Sequence, residues 1–95
     1  MRTLKLMPDY FCFPLWEADP GEVGNVDPAG LPISQALRDR LLQWAGAFDA
    51  MLDMSDPAAS RIAPEVAQAF EREGAALAQA LRDELGPGFA ITTRF

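Results

Sequence analysis

Apolar residues change their period along this 95-residue chain. From Thr3 to Met7 they alternate, with Leu4 and Leu6 on one side and Thr3 and Lys5 on the other, until Pro8 interrupts the run. This pattern predicts a short strand with one buried face. Tyr10 to Trp16 is rich in aromatic residues suited to a pleated surface, but Pro14 cannot donate to a ladder, so the run reads as an edge strand or an irregular extended segment. From Glu17 to Pro32 turn formers dominate, in Asp19-Pro20-Gly21, Gly24-Asn25 and Asp27-Pro28-Ala29-Gly30, and a long loop is expected.

The period then becomes helical. Behind Ser34, a good N-cap, apolar residues recur at Leu37, Leu41, Trp44, Phe48 and Leu52, one stripe of an amphipathic helix that should stop near Met54, where Ser55-Asp56-Pro57 supplies turn chemistry. Pro64 opens a second helix, with Glu65 at the positive end of its dipole and a stripe through Val66, Phe70, Leu77, Leu81 and Leu85. Gly74 lies on that stripe, where the missing side chain predicts close approach of the first helix. Gly86 caps the end and Pro87 prevents continuation. Finally Phe89, Ile91 and Phe95 share one face against Thr92 and Arg94, a closing strand whose natural partner is the first one. The expected fold is a single α+β domain over residues 1–95, with a small sheet of two or three strands, from the N-terminal and C-terminal segments, covered by an antiparallel helical hairpin.

Composition narrows the chemistry. The chain is 49% hydrophobic and 23% charged, the range of a globular domain. Fourteen acidic against eight basic residues leave a net charge of -6, which favours a basic protein partner and no nucleic acid or anionic membrane. A lone Cys12 offers no disulfide or zinc framework and fits a reducing compartment, and the chain shows neither a signal-peptide core nor a membrane span, so a cytoplasmic location is expected. The absence of histidine removes the commonest general base and metal ligand. No catalytic residue, cofactor or metal is expected.

The stretch from Met7 to Ala36 carries Asp9, Glu17, Asp19, Glu22 and Asp27 and no Lys or Arg. It also holds Tyr10, Phe11, Phe13 and Trp16, more aromatic side chains than two short faces can easily bury. Rings ringed by carboxylates suit a surface that grips a basic protein; alternatively the rings complete a small core and the carboxylates solvate a loop. Carboxylates also cluster at Asp49, Asp53 and Asp56, with Glu71 and Glu73 on the second helix, and such groups could hold Mg²⁺ or Ca²⁺, although no recognised metal-loop spacing supports it. Cys12, between two phenylalanines, reads as a small buried hydrophobe, and Trp44 and Phe48 as core.

The strings Leu6-Met7-Pro8-Asp9-Tyr10, Pro14-Leu15-Trp16, Gly21-Glu22-Val23-Gly24-Asn25 and Asp27-Pro28, followed by two helices, resemble a family of small acidic bacterial proteins. The resemblance covers nearly the whole chain and is to immunity proteins of contact-dependent growth inhibition and related polymorphic toxin systems. It implies a catalytically inert antitoxin that binds the C-terminal toxin domain of a contact-dependent inhibition protein, a nuclease, with stoichiometric inhibition. On that footing Asp9, Tyr10, Trp16, Glu17, Asp19, Glu22 and Asp27 are the expected partner contacts, with Asp49, Asp53 and Asp56 as a second acidic patch. The residues themselves leave two alternatives open, a self-associating or scaffold module without enzymatic activity and a carboxylate-based enzyme or metal-binding protein.

Overall fold

The computed structural model describes residues 2–21, 24–50 and 64–95. Its elements follow the order of the expected pattern: β1 (Arg2–Leu6), β2 (Leu15–Glu17), β3 (Asn25–Val26), α1 (Gln35–Ala50), α2 (Pro64–Leu85) and β4 (Phe89–Thr93), with short 3-10 turns at Pro28–Gly30 and Gly86–Gly88. The sheet runs β3-β2-β1-β4. The closing strand does lie beside the first, in parallel, with Leu4 opposite Ile91 and Leu6 opposite Thr93. β2 pairs antiparallel with β1, and β3 antiparallel with β2.

Two features differ from the sequence pattern. The sheet has four strands rather than two or three, because Asn25 and Val26, inside the expected long loop, pair with Trp16 and Leu15. A two-residue strand is too short to show a period. β2 is consequently interior, not an edge. Pro14 is accommodated because the strand begins one residue after it; its carbonyl still accepts from the Met7 N–H at 2.9 Å.

One face of the sheet is dry. Leu4, Leu6, Leu15 and Ile91 pack against Leu37, Leu41 and Trp44 of α1 and Leu77, Ala78 and Leu81 of α2, with Leu31 and Ile33 closing the end. Each fully buried Leu contributes about 2 kcal/mol of transfer free energy. Ser34 caps α1 as expected, its hydroxyl accepting from the Leu37 N–H at 3.2 Å. Gly86 takes a φ of 75° just past α2. The α2 stripe is buried from Gly74 to Leu81, whereas Val66 is exposed. A helix of this length spans roughly 33 Å and a five-residue strand roughly 17 Å, so the first turns of α2 overhang the sheet. The expected stop of α1 near Met54 lies outside the described residues.

Candidate functional site

The turn between β1 and β2 is built from Asp9 to Phe13. Asp9 is exposed and accepts from the Tyr10 N–H through its side chain at 2.8 Å. Tyr10 folds inward and stacks on Phe48 of α1, with ring centroids 4.5 Å apart. That contact starts a chain of rings, in centroid distances: Phe48 meets Phe70 at 5.8 Å, Phe70 stacks on Trp44 at 4.4 Å, and Phe95 and Trp44 form a T-shaped pair at 5.7 Å. The turn, both helices and the C-terminal residue are thereby joined.

Phe11 has the opposite fate. Its φ is 60°, the only positive value at a non-glycine among the described residues, and its side chain is 71% exposed. A bulky residue in the left-handed region costs roughly 1–2 kcal/mol. Two groups hold it there. The Asp49 carboxylate of α1 accepts from the Phe11 N–H at 2.9 Å. On the other side the Asn25 side chain accepts from the Phe13 N–H at 2.7 Å and donates to the carbonyls of Phe13 at 2.6 Å and Leu15 at 2.9 Å. Phe11 and Phe13 thus stand on one wall of an open groove of about 440 Å³, facing Leu42, Ala45 and Gly46 of α1, with Cys12 and Asp49 also lining it. Phe13 and Leu42 are 38% and 46% exposed.

The remaining expected site residues among the described residues have internal partners. Glu17 forms an ion pair with Arg2, whose Nε also donates to Glu17 at 3.4 Å. Both Asp19 carboxylate oxygens accept from the Thr3 N–H, at 3.1 and 3.2 Å, extending the β1 pairing where the chain turns away towards Pro20. Asp27 caps the first 3-10 turn through the Ala29 N–H at 2.9 Å. Trp16 is half-buried, paired with Lys5 across the strands, and its indole N–H donates to the Met7 carbonyl at 3.0 Å. Glu22, Asp53 and Asp56 lie outside the described residues. Cys12 is half-buried at the groove rather than a core residue, because Phe11 and Phe13 beside it turn outward. Trp44 is core as expected, and Phe48 is half-buried.

The structure thus brings Asp9, Tyr10 and Asp49 together around one turn and distributes Trp16, Glu17, Asp19 and Asp27 along the sheet and its connections. Asn25 and Leu42 were not among the expected contacts, and Phe11 and Phe13, though counted in the aromatic surplus, were not singled out as contacts either. Leu42 had a legible sign, since it is a large apolar residue off the Leu37-Leu41-Trp44 stripe. The left-handed Phe11 had none, because no residue type at that position asks for it.

The described residues form an α+β domain with its sheet covered on one face and a braced aromatic turn on its surface. Comparison with known families makes this particular: the sequence matches the Serratia CdiI immunity protein-like family over residues 2–93, and the chain belongs to that family. No curated protein matches the sequence. Among the described residues, no helix is long and apolar enough to cross a membrane.

Proposed function

We propose that this chain is the immunity protein of a contact-dependent growth inhibition system, which binds its cognate toxin domain stoichiometrically in the cytoplasm and neutralises it without chemistry of its own. The observation that carries this reading is the family match along residues 2–93. The target is the C-terminal domain of a contact-dependent inhibition protein, with nuclease activity and a basic surface. A net charge of -6 and a 30-residue stretch without Lys or Arg, from Met7 to Ala36, support that complementarity. Enzymes that act on nucleic acid carry cationic clefts, and an acidic inhibitor is drawn to them.

The acidic residues contribute at two levels. Asp9 on the turn and Asp27 beside β3 are exposed, and although each accepts one local backbone N–H, both carboxylates face solvent and can steer and pair with Lys or Arg of the toxin. Glu17, Asp19 and Asp49 also carry charge, but their carboxylates hold the sheet and the turn in place. With Glu22, Asp53 and Asp56 they complete the acidic field, while Tyr10 and Trp16 support the surface from within.

The test is protection. The C-terminal domain of the contact-dependent inhibition protein proposed as the target is induced in a susceptible host with and without the chain. Restored growth, together with co-purification of the two proteins in equimolar amounts, is the expected result. Growth arrest despite comparable levels of folded chain would overturn the assignment.

A further inference from the structure

We propose that the groove between the Phe11–Phe13 turn and α1 is the anchor of the toxin interface, receiving an apolar side chain that the toxin presents between basic residues. This inference rests on the immunity reading and names the surface that performs it.

Three observations carry it. Phe11 is held in a strained backbone conformation while its ring is 71% exposed, so the strain buries no Phe11 side chain in the core. Strain that the surrounding structure enforces, yet does not use for packing, marks a preorganised functional surface. The bracing is also specific: Asp49 reaches from α1 to the Phe11 N–H, and Asn25 makes three bonds to Phe13 and Leu15. A rigid ring loses little conformational freedom on binding, which raises affinity for a given contact area. Finally, Phe11, Phe13 and Leu42 form an exposed apolar surface whose lining includes no Lys or Arg, with the Asp49 carboxylate on its wall and exposed Asp9 two residues from Phe11. An apolar centre with an anionic rim is complementary to an apolar residue flanked by Lys or Arg, the arrangement of a hot spot with a polar rim. A second copy of this acidic chain would bring carboxylates against carboxylates there.

The test uses two variants of the full chain. Phe11→Asn replaces the exposed ring with a residue that tolerates the left-handed region. Leu42→Lys puts a cation on the opposite wall, at an exposed helix position. Each is titrated by calorimetry with the purified toxin domain that the parent chain neutralises, and each is melted alone. Phe11→Asn should unfold at the parent temperature or above it, while affinity falls roughly thirtyfold, the loss expected at a hot-spot aromatic. Leu42→Lys should weaken binding at least about tenfold with its helical signal unchanged.

Parental affinity in both folded variants overturns the groove as anchor and leaves the immunity reading standing. Failure of the parent chain to bind or protect overturns both. Sedimentation decides about the second copy: a monomeric parent supports the proposal, and a parent dimer that Phe11→Asn dissociates overturns it.

Discussion

Gly74 shows how closely single atoms govern this domain. A Cβ built there would meet Trp44 Cζ2 at 2.8 Å and two ring carbons of Phe95 at 2.9 Å. Phe95 is exposed and can swing aside, but Trp44 is buried and its indole N–H is bonded to the Phe70 carbonyl at 3.0 Å. Alanine would gain about 1 kcal/mol of helix propensity and lose about 1–3 kcal/mol to overpacking. Gly74→Ala should therefore lower stability by about 1 kcal/mol, read as a lower urea midpoint at constant slope. A midpoint at or above the parent's would mean that the Trp44 ring yields freely. The close approach was legible beforehand, as a glycine interrupting an apolar stripe. Its agent, an edge-on tryptophan locked by a carbonyl, was not.

Among the elements, the two helices are joined at their ends by more than apolar contact. Ser34 caps α1 through Leu37, and at the same time its N–H and hydroxyl donate to the Glu84 carboxylate near the end of α2, at 2.5 and 2.9 Å. The start of one helix is tied to the finish of the other. Ser34→Ala keeps only the N–H bond, and we expect a loss of about 1 kcal/mol, or a Tm about 5 °C lower. Ser34→Thr should recover most of it, and equal melting of the alanine and parent chains would exclude a capping role. By contrast, the Arg40–Glu73 pair across the helices, at 2.9 Å with both side chains nearly half exposed, adds little. The sheet edges are guarded too. The Arg94 N–H donates inward to the Leu6 carbonyl at 3.0 Å, so by alternation the backbone N–H and carbonyl of Ile91 point to the free edge of β4 while its side chain stays in the core. There Arg82 of α2 donates to the Ile91 carbonyl at 3.0 Å, occupying the acceptor that an added strand would need. The opposite edge, β3, has two residues. The cap at Ser34 could be read from residue type, whereas neither Glu84 nor Arg82 advertises its partner, because each contact spans turns or elements that only packing brings together.

For the molecule as a whole, β1 and β4 lie side by side although they stand at opposite ends of the chain, with five residue pairs in register from Arg2–Phe89 to Leu6–Thr93. Folding must close this long loop before the pairing contributes anything. Deleting residues 89–95 removes the strand beside β1, buried Ile91, and the Phe95 edge contact to Trp44. We expect the truncated chain to lose its cooperative thermal transition and bind a hydrophobic dye; a sharp transition would show that β1 to β3 and the helices suffice. Periodicity had specified the class and the two helices, because alternation and helical spacing record which side of each element must be dry, while residue type marked Ser34 and Gly86 as caps and the instability of a lone strand paired the last with the first. The family, too, was legible in the sequence, which matches it over residues 2–93. Strand β3, the interior place of β2 and the guarded edges were settled only in three dimensions, since they depend on backbone partners that side-chain hydropathy does not encode. So was the division of labour in the acidic stretch. Charge could be counted in the sequence, but which carboxylate braces a turn, which pairs with Arg2 and which ring is left in water depends on distances between residues far apart in the chain.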